Sequence, residues 1–296
     1  MQLKRITFLI ALAHATGAYA DDAAPAGSLE EVVVRGTRIE QPQAVGAYSI
    51  DGASLARMRA SSSDTAKMLQ NVPGVHAYGA GGVSSLPTVH GLADDRLRIK
   101  VDGMDLIASC PNHMNPALSY LDPAQIGTLQ VYAGIAPVSV GGDSIGATIV
   151  AETAVPLFAA PGQQSLLRGE AGAFYRSNGN ARTANLAATW ASSNVSLNYT
   201  GATSQSDNYE AGEAFKTTRE TGRPGHTLDL DEVGSSAWET RNHTLGLAVR
   251  NEQHLLHLSF GYQDMPYQLY PNQRMDLLDN EQERVNLRLN VISRKY

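Results

Sequence analysis

Residues 254–262 read HLLHLSFGY and residues 285–291 read VNLRLNV, and these two stretches decide the fold. In each, apolar residues alternate with polar or very small ones, which is the period of an extended strand whose successive side chains point to opposite faces. The same alternation occurs in residues 184–191, 195–200 and 245–249. The sequence therefore predicts a series of amphipathic strands from about Ser165 onward.

The connections between these strands differ in length. Residues 192–194 and 251–253 are tight turns, whereas the links near 205–236 and 264–283 are long and polar. A soluble sandwich also has alternating strands. Short turns at one end and long loops at the other are typical of outer-membrane barrels, and long structureless loops are uncommon in compact domains. The pattern therefore favours antiparallel strands of a transmembrane β-barrel.

The composition agrees with this class of protein and argues against two others. The chain has 296 residues, with 27 Gly, 12 Tyr and 18% charged residues. Its net charge of −6 argues against a nucleic-acid partner, which would favour a basic stripe. No Ser/His/Asp triad, phosphate-binding glycine loop or pair of carboxylates stands out, so we do not expect an enzyme.

The first 20 residues have the pattern of an export signal. Lys4 and Arg5 form a positive start, and residues 6–13 are apolar. Residues 18–20 (AYA) form a small-x-small cleavage site. A transmembrane helix needs about 20 apolar residues, and this run is much shorter. We therefore expect residues 1–20 to be a signal peptide that directs export.

A short β-branched segment follows a small, polar lead. Residues 21–28 read DDAAPAGS, and residues 29–36 read LEEVVVRG. An exposed segment of this kind is a natural donor for strand addition to the sheet edge of another protein. The local pattern equally allows it to be the first strand of the domain that follows.

Residues 45–158 have the mixed pattern of an α+β domain. Helical patterns occur at residues 52–58 and 63–69. Residues 98–101 predict a strand that ends at an Asp102-Gly103 hairpin turn. Residues 128–132 predict another strand.

Four segments resemble the TonB-dependent receptor family, in the order that this family has them. Residues 30–36 resemble its TonB box. Three further segments resemble the signatures of its plug domain: residues 69–75 (LQNVPGV); His90-Gly91, Arg96 and Val101-Asp102-Gly103; and residues 126–131 with Gly134, Pro137, Gly141 and Ile145-Gly146. The family usually has Arg where His90 stands. The resemblance covers about residues 29–150.

This resemblance implies an α+β plug domain followed by antiparallel transmembrane β-barrel strands. We expect a signal peptide at 1–20, a periplasmic tail at 21–40, the plug at 41–160 and the first strands, about six, of a roughly 22-stranded barrel at 161–296. The barrel would then be incomplete, and an open edge in lipid leaves backbone groups unsatisfied. We therefore interpret the chain as a truncated reading frame or a fragment.

The resemblance also implies partners and a location. TonB, energised by ExbB and ExbD, would pair with the tail through Glu31, Val32, Val33 and Val34. The barrel strands would contact the outer-membrane lipid of a Gram-negative bacterium.

Residues 107–116 (IASCPNHMNP) carry a narrower resemblance. They are similar to the Cys-x-x-x-Met plug segment of the outer-membrane copper receptors of the OprC/NosA type, and residues 138–152 also resemble that subgroup. The resemblance implies copper capture and import. In that subgroup a His-x-Met pair of the barrel supplies further ligands. This sequence has no His-x-Met, and we expect the pair beyond Tyr296.

The residues themselves also indicate a copper site. A spacing of four places Cys110 and Met114 on one face of a helical turn, in which Pro111 would take the first position. A helix N-terminus favours the thiolate that binds metal. Thiolate and thioether are soft ligands that select Cu(I). His113 would point away in such a turn and is a weaker candidate ligand.

Several alternatives remain open at this stage. Cys110 and Met114 are also common packing residues, and the same holds for Met265 and Met275, which would otherwise relay copper. Within the receptor class, the rival ligand is a siderophore or cobalamin. From other classes, a passive porin or adhesin would not need the tail or the plug. A periplasmic copper-binding protein would not need the alternating strands.

Overall fold

The computed structural model describes residues 46–108, 110–141, 144–273 and 275–291. The predicted signal peptide at 1–20 and the predicted TonB-binding residues Glu31 to Val34 lie outside the described residues. No helix within the described ranges is long and apolar enough to cross a membrane.

The first part of the described chain is a mixed domain built on two small sheets. A five-stranded sheet has the order β1-β6-β7-β4-β5, and β2 pairs with β3 in a separate hairpin. Neighbours are antiparallel except β4 and β7, which are parallel. The strands are β1 (Ala47–Asp51), β2 (Val75–Gly79), β3 (Ser85–Val89), β4 (Leu97–Val101), β5 (Met104–Asp105), β6 (Ile126–Ala133) and β7 (Ala147–Thr153).

Helix α1 (Gly52–Met58) packs on this sheet and confirms the helix predicted at 52–58. It begins at Asp51, whose carboxylate accepts a hydrogen bond from the Ser54 N–H at 2.7 Å. This is a standard N-cap that satisfies one of the free amides of the first turn. One apolar cluster joins helix and sheet, and its fully buried members include Leu55, Leu69, Val89, Leu118, Leu129 and Ile149.

The helix predicted at 63–69 is only a 3₁₀ turn, Ala66–Leu69. The three residues before it use their side chains for other bonds. Asp64 accepts from the Ala66 N–H at 3.0 Å, and the Thr65 hydroxyl donates to the Leu121 carbonyl at 2.6 Å. Ser, Thr and Asp side chains compete in this way with regular helix formation, which explains the error.

Six long antiparallel strands follow, and neighbours in sequence are neighbours in the sheet. They are β8 (Leu166–Arg176), β9 (Ala181–Ala191), β10 (Val195–Ser206), β11 (Trp238–Arg250), β12 (His254–Gln268) and β13 (Leu277–Val291). The alternation in the sequence is therefore confirmed as strand structure, and the barrel they begin is open.

The two faces of this sheet are the reverse of those in a soluble protein. Leu287 and Leu289 on the outer face are 65% and 63% exposed, whereas Asn242 and Gln263 on the inner face are 1% and 3% exposed. A soluble sandwich would bury the apolar face. A membrane barrel places it against lipid, so the burial pattern favours the barrel interpretation.

Polar side chains of the inner face are buried because they bond to the mixed domain. Gln263 donates to the Ser119 carbonyl at 2.9 Å, and Gln125 donates to the Thr244 hydroxyl at 2.7 Å. Buried polar groups need such partners. The mixed domain therefore lies on the inner face of the curved sheet, as a plug.

The connections between strands have the predicted asymmetry, with one correction. The tight turns 192–194 and 251–253 lie at one end, and the links 177–180, 207–237 and 269–276 lie at the other, here called the loop end. The long loop predicted at 264–283 is wrong, because the β12–β13 ladder continues to Gln268 and Leu277. Gln268 in that stretch is buried against the plug. Asp264 and Glu281 instead accept exposed hydrogen bonds from neighbouring strands, so their polarity did not mark a loop.

Candidate functional site

The segment that begins at Cys110 is a tight turn and not the predicted helical turn. The His113 N–H donates to the Cys110 carbonyl at 2.9 Å, and His113 has a φ of 51°. A residue in this left-handed conformation cannot continue a right-handed helix, and Pro116 disfavours a helical Asn115. The helix N-terminus that would have favoured a thiolate is therefore absent at Cys110.

The turn nevertheless brings the two predicted sulfur ligands to one place. Met114 forms a small apolar cluster with Ala80 and Tyr270, and Cys110 and Leu277 pack against it. We call these five residues the sulfur cluster. Met114 is buried, and Cys110 is a half-buried free thiol. Both sulfurs therefore belong to one cluster, although the local geometry differs from the predicted one.

Three separate segments build the sulfur cluster. Ala80 comes from the plug loop between β2 and β3, and Tyr270 comes from the 269–276 link at the loop end of the sheet. Tyr270 is fully buried. Burial raises the pKa of its phenol, so Tyr270 adds no charge to the cluster. The cluster lies where the plug meets the loop end.

His113 is directed to another part of the plug. Its Nε2 lies 3.8 Å from Asp95 Oδ1, and both residues line a cleft of about 180 Å³ together with Asp94 and Asp105. Across the described ranges, no three His, Cys, Asp or Glu side chains converge as they would around a metal ion. Of the three predicted ligands, Cys110 and Met114 share the sulfur cluster, and His113 faces Asp95 in the cleft.

The two methionines considered as copper relays differ from each other. Met265 lies within β12, not in a loop, and is buried against Val83 and Trp238. Met275 is 54% exposed in the 269–276 link. Packing therefore accounts for Met265. His254 and His257 lie on opposite faces of β12, as their spacing predicts.

Sequence reasoning missed the glycines that let the plug approach the sheet. A Cβ added to Gly82 would overlap the Trp238 ring, and one added to Gly81 would overlap the Gln268 amide. Gln268 also accepts a hydrogen bond from the Val83 N–H at 3.4 Å. Glycine allows such close contact of backbone with side chain. The run of small residues at 79–82 (GAGG) was the available signal, and this contact holds Ala80 in the sulfur cluster.

A substitution of Gly82 tests this contact. We expect Gly82→Ala to weaken the docking of the plug loop by about 1–3 kcal/mol, because the new methyl group meets the buried Trp238 ring. Gly79→Ala is the matched control, since its added Cβ meets only the Ser85 hydroxyl at 3.8 Å. Hydrogen exchange of the full-length receptor should show faster exchange at residues 80–85 in the first variant alone. Equal exchange in both variants would contradict this account.

The fold defines the class of this protein. An α+β plug lies against the polar inner face of strands whose outer face is apolar, and residues 37–148 match the family model of the TonB-dependent Receptor Plug Domain. The chain thus contains a plug domain of the TonB-dependent receptor family, followed by antiparallel strands of an open barrel. A plug domain of this family is part of a receptor and not of an enzyme.

Solved structures of this class share the fold. The chain is similar to the copper transporter OprC, with 25% identity, a TM-score of 0.67 and coverage of 82% of this chain and 34% of that one. The FrpB iron transporter from Neisseria meningitidis has 19% identity, a TM-score of 0.59 and coverage of 75% and 32%. The ferric enterobactin receptor from Pseudomonas aeruginosa has 16% identity, a TM-score of 0.54 and coverage of 76% and 34%.

The comparisons also set the extent of the match. The chain spans about a third of the length of the solved structures that it matches. A search of curated protein sequences gave no match.

Proposed function

We propose that this chain belongs to a TonB-dependent outer-membrane receptor that imports copper, with Cys110 and Met114 as ligands. The observation that carries the proposal is the packing of both residues in one cluster at the loop end of the plug. The likeness to the copper transporter OprC supports the same ligand. The apolar outer face of the sheet supports outer-membrane lipid as its surroundings.

The chemistry of the two side chains favours Cu(I). A thiolate and a thioether form a soft pair, whereas Mg²⁺ and Ca²⁺ prefer oxygen ligands. Two sulfurs leave further coordination positions open. We expect a His-x-Met pair elsewhere in the receptor to fill them, and His113 remains the weaker candidate in the plug.

Transport would proceed in three steps. Copper binds to Cys110 and Met114, and occupancy of the site biases the periplasmic tail outward. TonB, driven by ExbB and ExbD, then pairs with residues 31–34 as an added strand. The pull on the tail remodels the plug and releases copper to the periplasm.

A substitution of Met114 distinguishes a role as a copper ligand from a role in packing. Met114→Leu keeps the volume of the side chain, so the cluster stays filled, but it removes the sulfur. We expect copper uptake by cells that express the full-length receptor to fall at least about tenfold, which corresponds to about 1.4 kcal/mol of lost binding. Met68→Leu, which changes a buried methionine of the plug core, is the matched control. Normal uptake by the Met114→Leu receptor would rule out the thioether as a ligand.

A siderophore or iron receptor is the second candidate, because structures with these ligands share the fold. Cys110 and Met114 would then be packing residues. Met114→Leu would leave uptake of the iron complex unchanged, and the full-length receptor would take up no copper. A cobalamin ligand would give the same result with Met114→Leu.

A further inference from the structure

A polar cavity of about 380 Å³ lies between the plug and the loop end of the sheet. Two charged side chains line it, Lys67 of the plug and Arg176 of β8, and both are cations. Among the described residues that line it, none carries a carboxylate. The other walls are mainly hydroxyl groups, the Asn178 amide, the glycine-rich plug loop and the rings of Tyr209 and Trp238. A cavity with this balance of charge attracts an anion.

Arg176 has donors that the described protein leaves unused. Its Nη2 donates to the Ser63 hydroxyl at 2.9 Å. Its Nη1 is buried and has no hydrogen-bond partner among the described residues. Within the described ranges, no carboxylate forms an ion pair with Arg176. A buried donor of a charged group that lacks a partner is costly, so a bound group that accepts from Nη1 would stabilise this arrangement.

Lys67 adds a second positive charge that is only loosely neutralised. Its Nζ lies 4.0 Å from Asp64 Oδ2. That carboxylate already accepts from the backbone N–H of Ala66 and Ser85, at 3.0 and 3.1 Å. Burial also raises the pKa of Asp64, so this carboxyl group is a weaker counter-charge for Lys67 than an ordinary ionised carboxylate. The ammonium of Lys67 therefore contributes to the positive field of the cavity.

The cavity adjoins the sulfur cluster. Ala80 belongs to the cluster and also lines the cavity. Pro271, which follows Tyr270 of the cluster, lines the cavity as well. A ligand held in the cavity therefore lies next to Ala80, a residue of the sulfur cluster.

We propose that this cavity, which lies beside the proposed metal site, binds a small carboxylate. The carboxylate can reach the receptor as the free acid anion or as the chelator of the metal. The planar fork of Arg176 matches a carboxylate with two parallel hydrogen bonds. The volume suits a small organic acid and exceeds that of a halide ion. The role of the carboxylate as a metal chelator rests on the proposed copper function.

The test is calorimetric titration of the full-length receptor in detergent with citrate and, separately, with copper citrate. Citrate binding by the wild type would show a site for the free acid, and binding of copper citrate alone would show a site for the chelate. We expect Arg176→Gln to weaken binding at least about tenfold, because a hydrogen bond to a charged group is lost. Lys67→Gln should weaken it by a smaller factor. Arg182→Gln, on the exposed face of β9, is the matched control and should bind like the wild type.

Two further measurements keep the outcomes distinct. Arg176→Lys retains the positive charge without the planar fork and should bind with intermediate affinity. A graded loss of affinity from wild type through Arg176→Lys to Arg176→Gln would not arise from misfolding alone. Absence of binding for both titrants, or equal affinity of the Arg176→Gln and wild-type receptors, would overturn the carboxylate site. Copper bound without any citrate binding would overturn this inference alone. Citrate binding by a receptor that takes up no copper would overturn the copper function and leave the anion site standing.

Discussion

A Val33→Pro substitution is expected to abolish metal uptake by the full-length receptor while metal binding stays unchanged. Residues 29–36 carry the TonB-box-like segment, and strand addition obtains its affinity from main-chain hydrogen bonds. Proline has no N–H and removes one donor from such a ladder. The plug, which holds Cys110 and Met114, would not be altered.

The measurement pairs uptake by intact cells with metal content of the purified receptor. Val33→Ala is the matched control, since it shortens the side chain but keeps the N–H, and it should retain most of the uptake. Loss of binding together with uptake in the proline variant would contradict the division between the tail and the metal site. Normal uptake in that variant would show that the segment is not the TonB contact.

The second large effect is expected at Asp102, which joins the plug to β13. Its Oδ1 accepts from Arg288 Nη2 at 2.6 Å and from the Thr153 N–H at 2.9 Å. Its carbonyl accepts from Asn286 at 2.8 Å. Asp102 is 3% exposed. Asp102→Ala removes the acceptor of both side-chain bonds and leaves the Arg288 and Thr153 donors unsatisfied, so it should destabilise plug docking by about 2–4 kcal/mol.

Asp102→Asn is the matched control for this prediction. It keeps an oxygen acceptor, and asparagine tolerates the left-handed φ of 52° at this position. Urea titration of the full-length receptor, followed by hydrogen exchange at residues 101–104, should show plug release at much lower urea in the alanine variant than in the asparagine variant. In an Arg288→Met background, Asp102→Ala should cost much less, because the pair is already broken. Additive losses would show that the two side chains do not interact.

The strands were predictable because the two faces of each strand differ in polarity, which produces an alternation of apolar and polar residues in the sequence. The alternation in residues 254–262 and 285–291 survives in the structure with its apolar side outward. The Asp102-Gly103 hairpin was also predictable, since both residues suit the positive φ that such turns require. They have φ values of 52° and 81°.

The errors arose where contacts distant in sequence override local pattern. Residues 264–283 look like a loop because Gln268 and its neighbours are polar, but Gln268 is buried against the plug loop at Gly81. The predicted helical turn at Cys110 is a left-handed turn at His113, which the sequence spacing alone did not show.

The candidate site was predictable only in part. The Cys-x-x-x-Met spacing identified the two sulfurs, and the structure places both in the sulfur cluster. Tyr270 joins that cluster from a segment about 160 residues away along the chain, and Arg176 meets Ser63 only after the plug docks on β8. The register of the strands brings such residues to the site, and no local sequence motif specifies this register.

The most direct test of the copper assignment is the copper content of the purified full-length receptor, wild type beside Cys110→Ala, by elemental analysis. We expect about one copper ion per wild-type molecule, as for a single closed site, and its loss in the variant. Absence of copper from both proteins would contradict the assignment. The TonB-dependent receptor fold would then stand, and the transported ligand would return to the siderophore or cobalamin class.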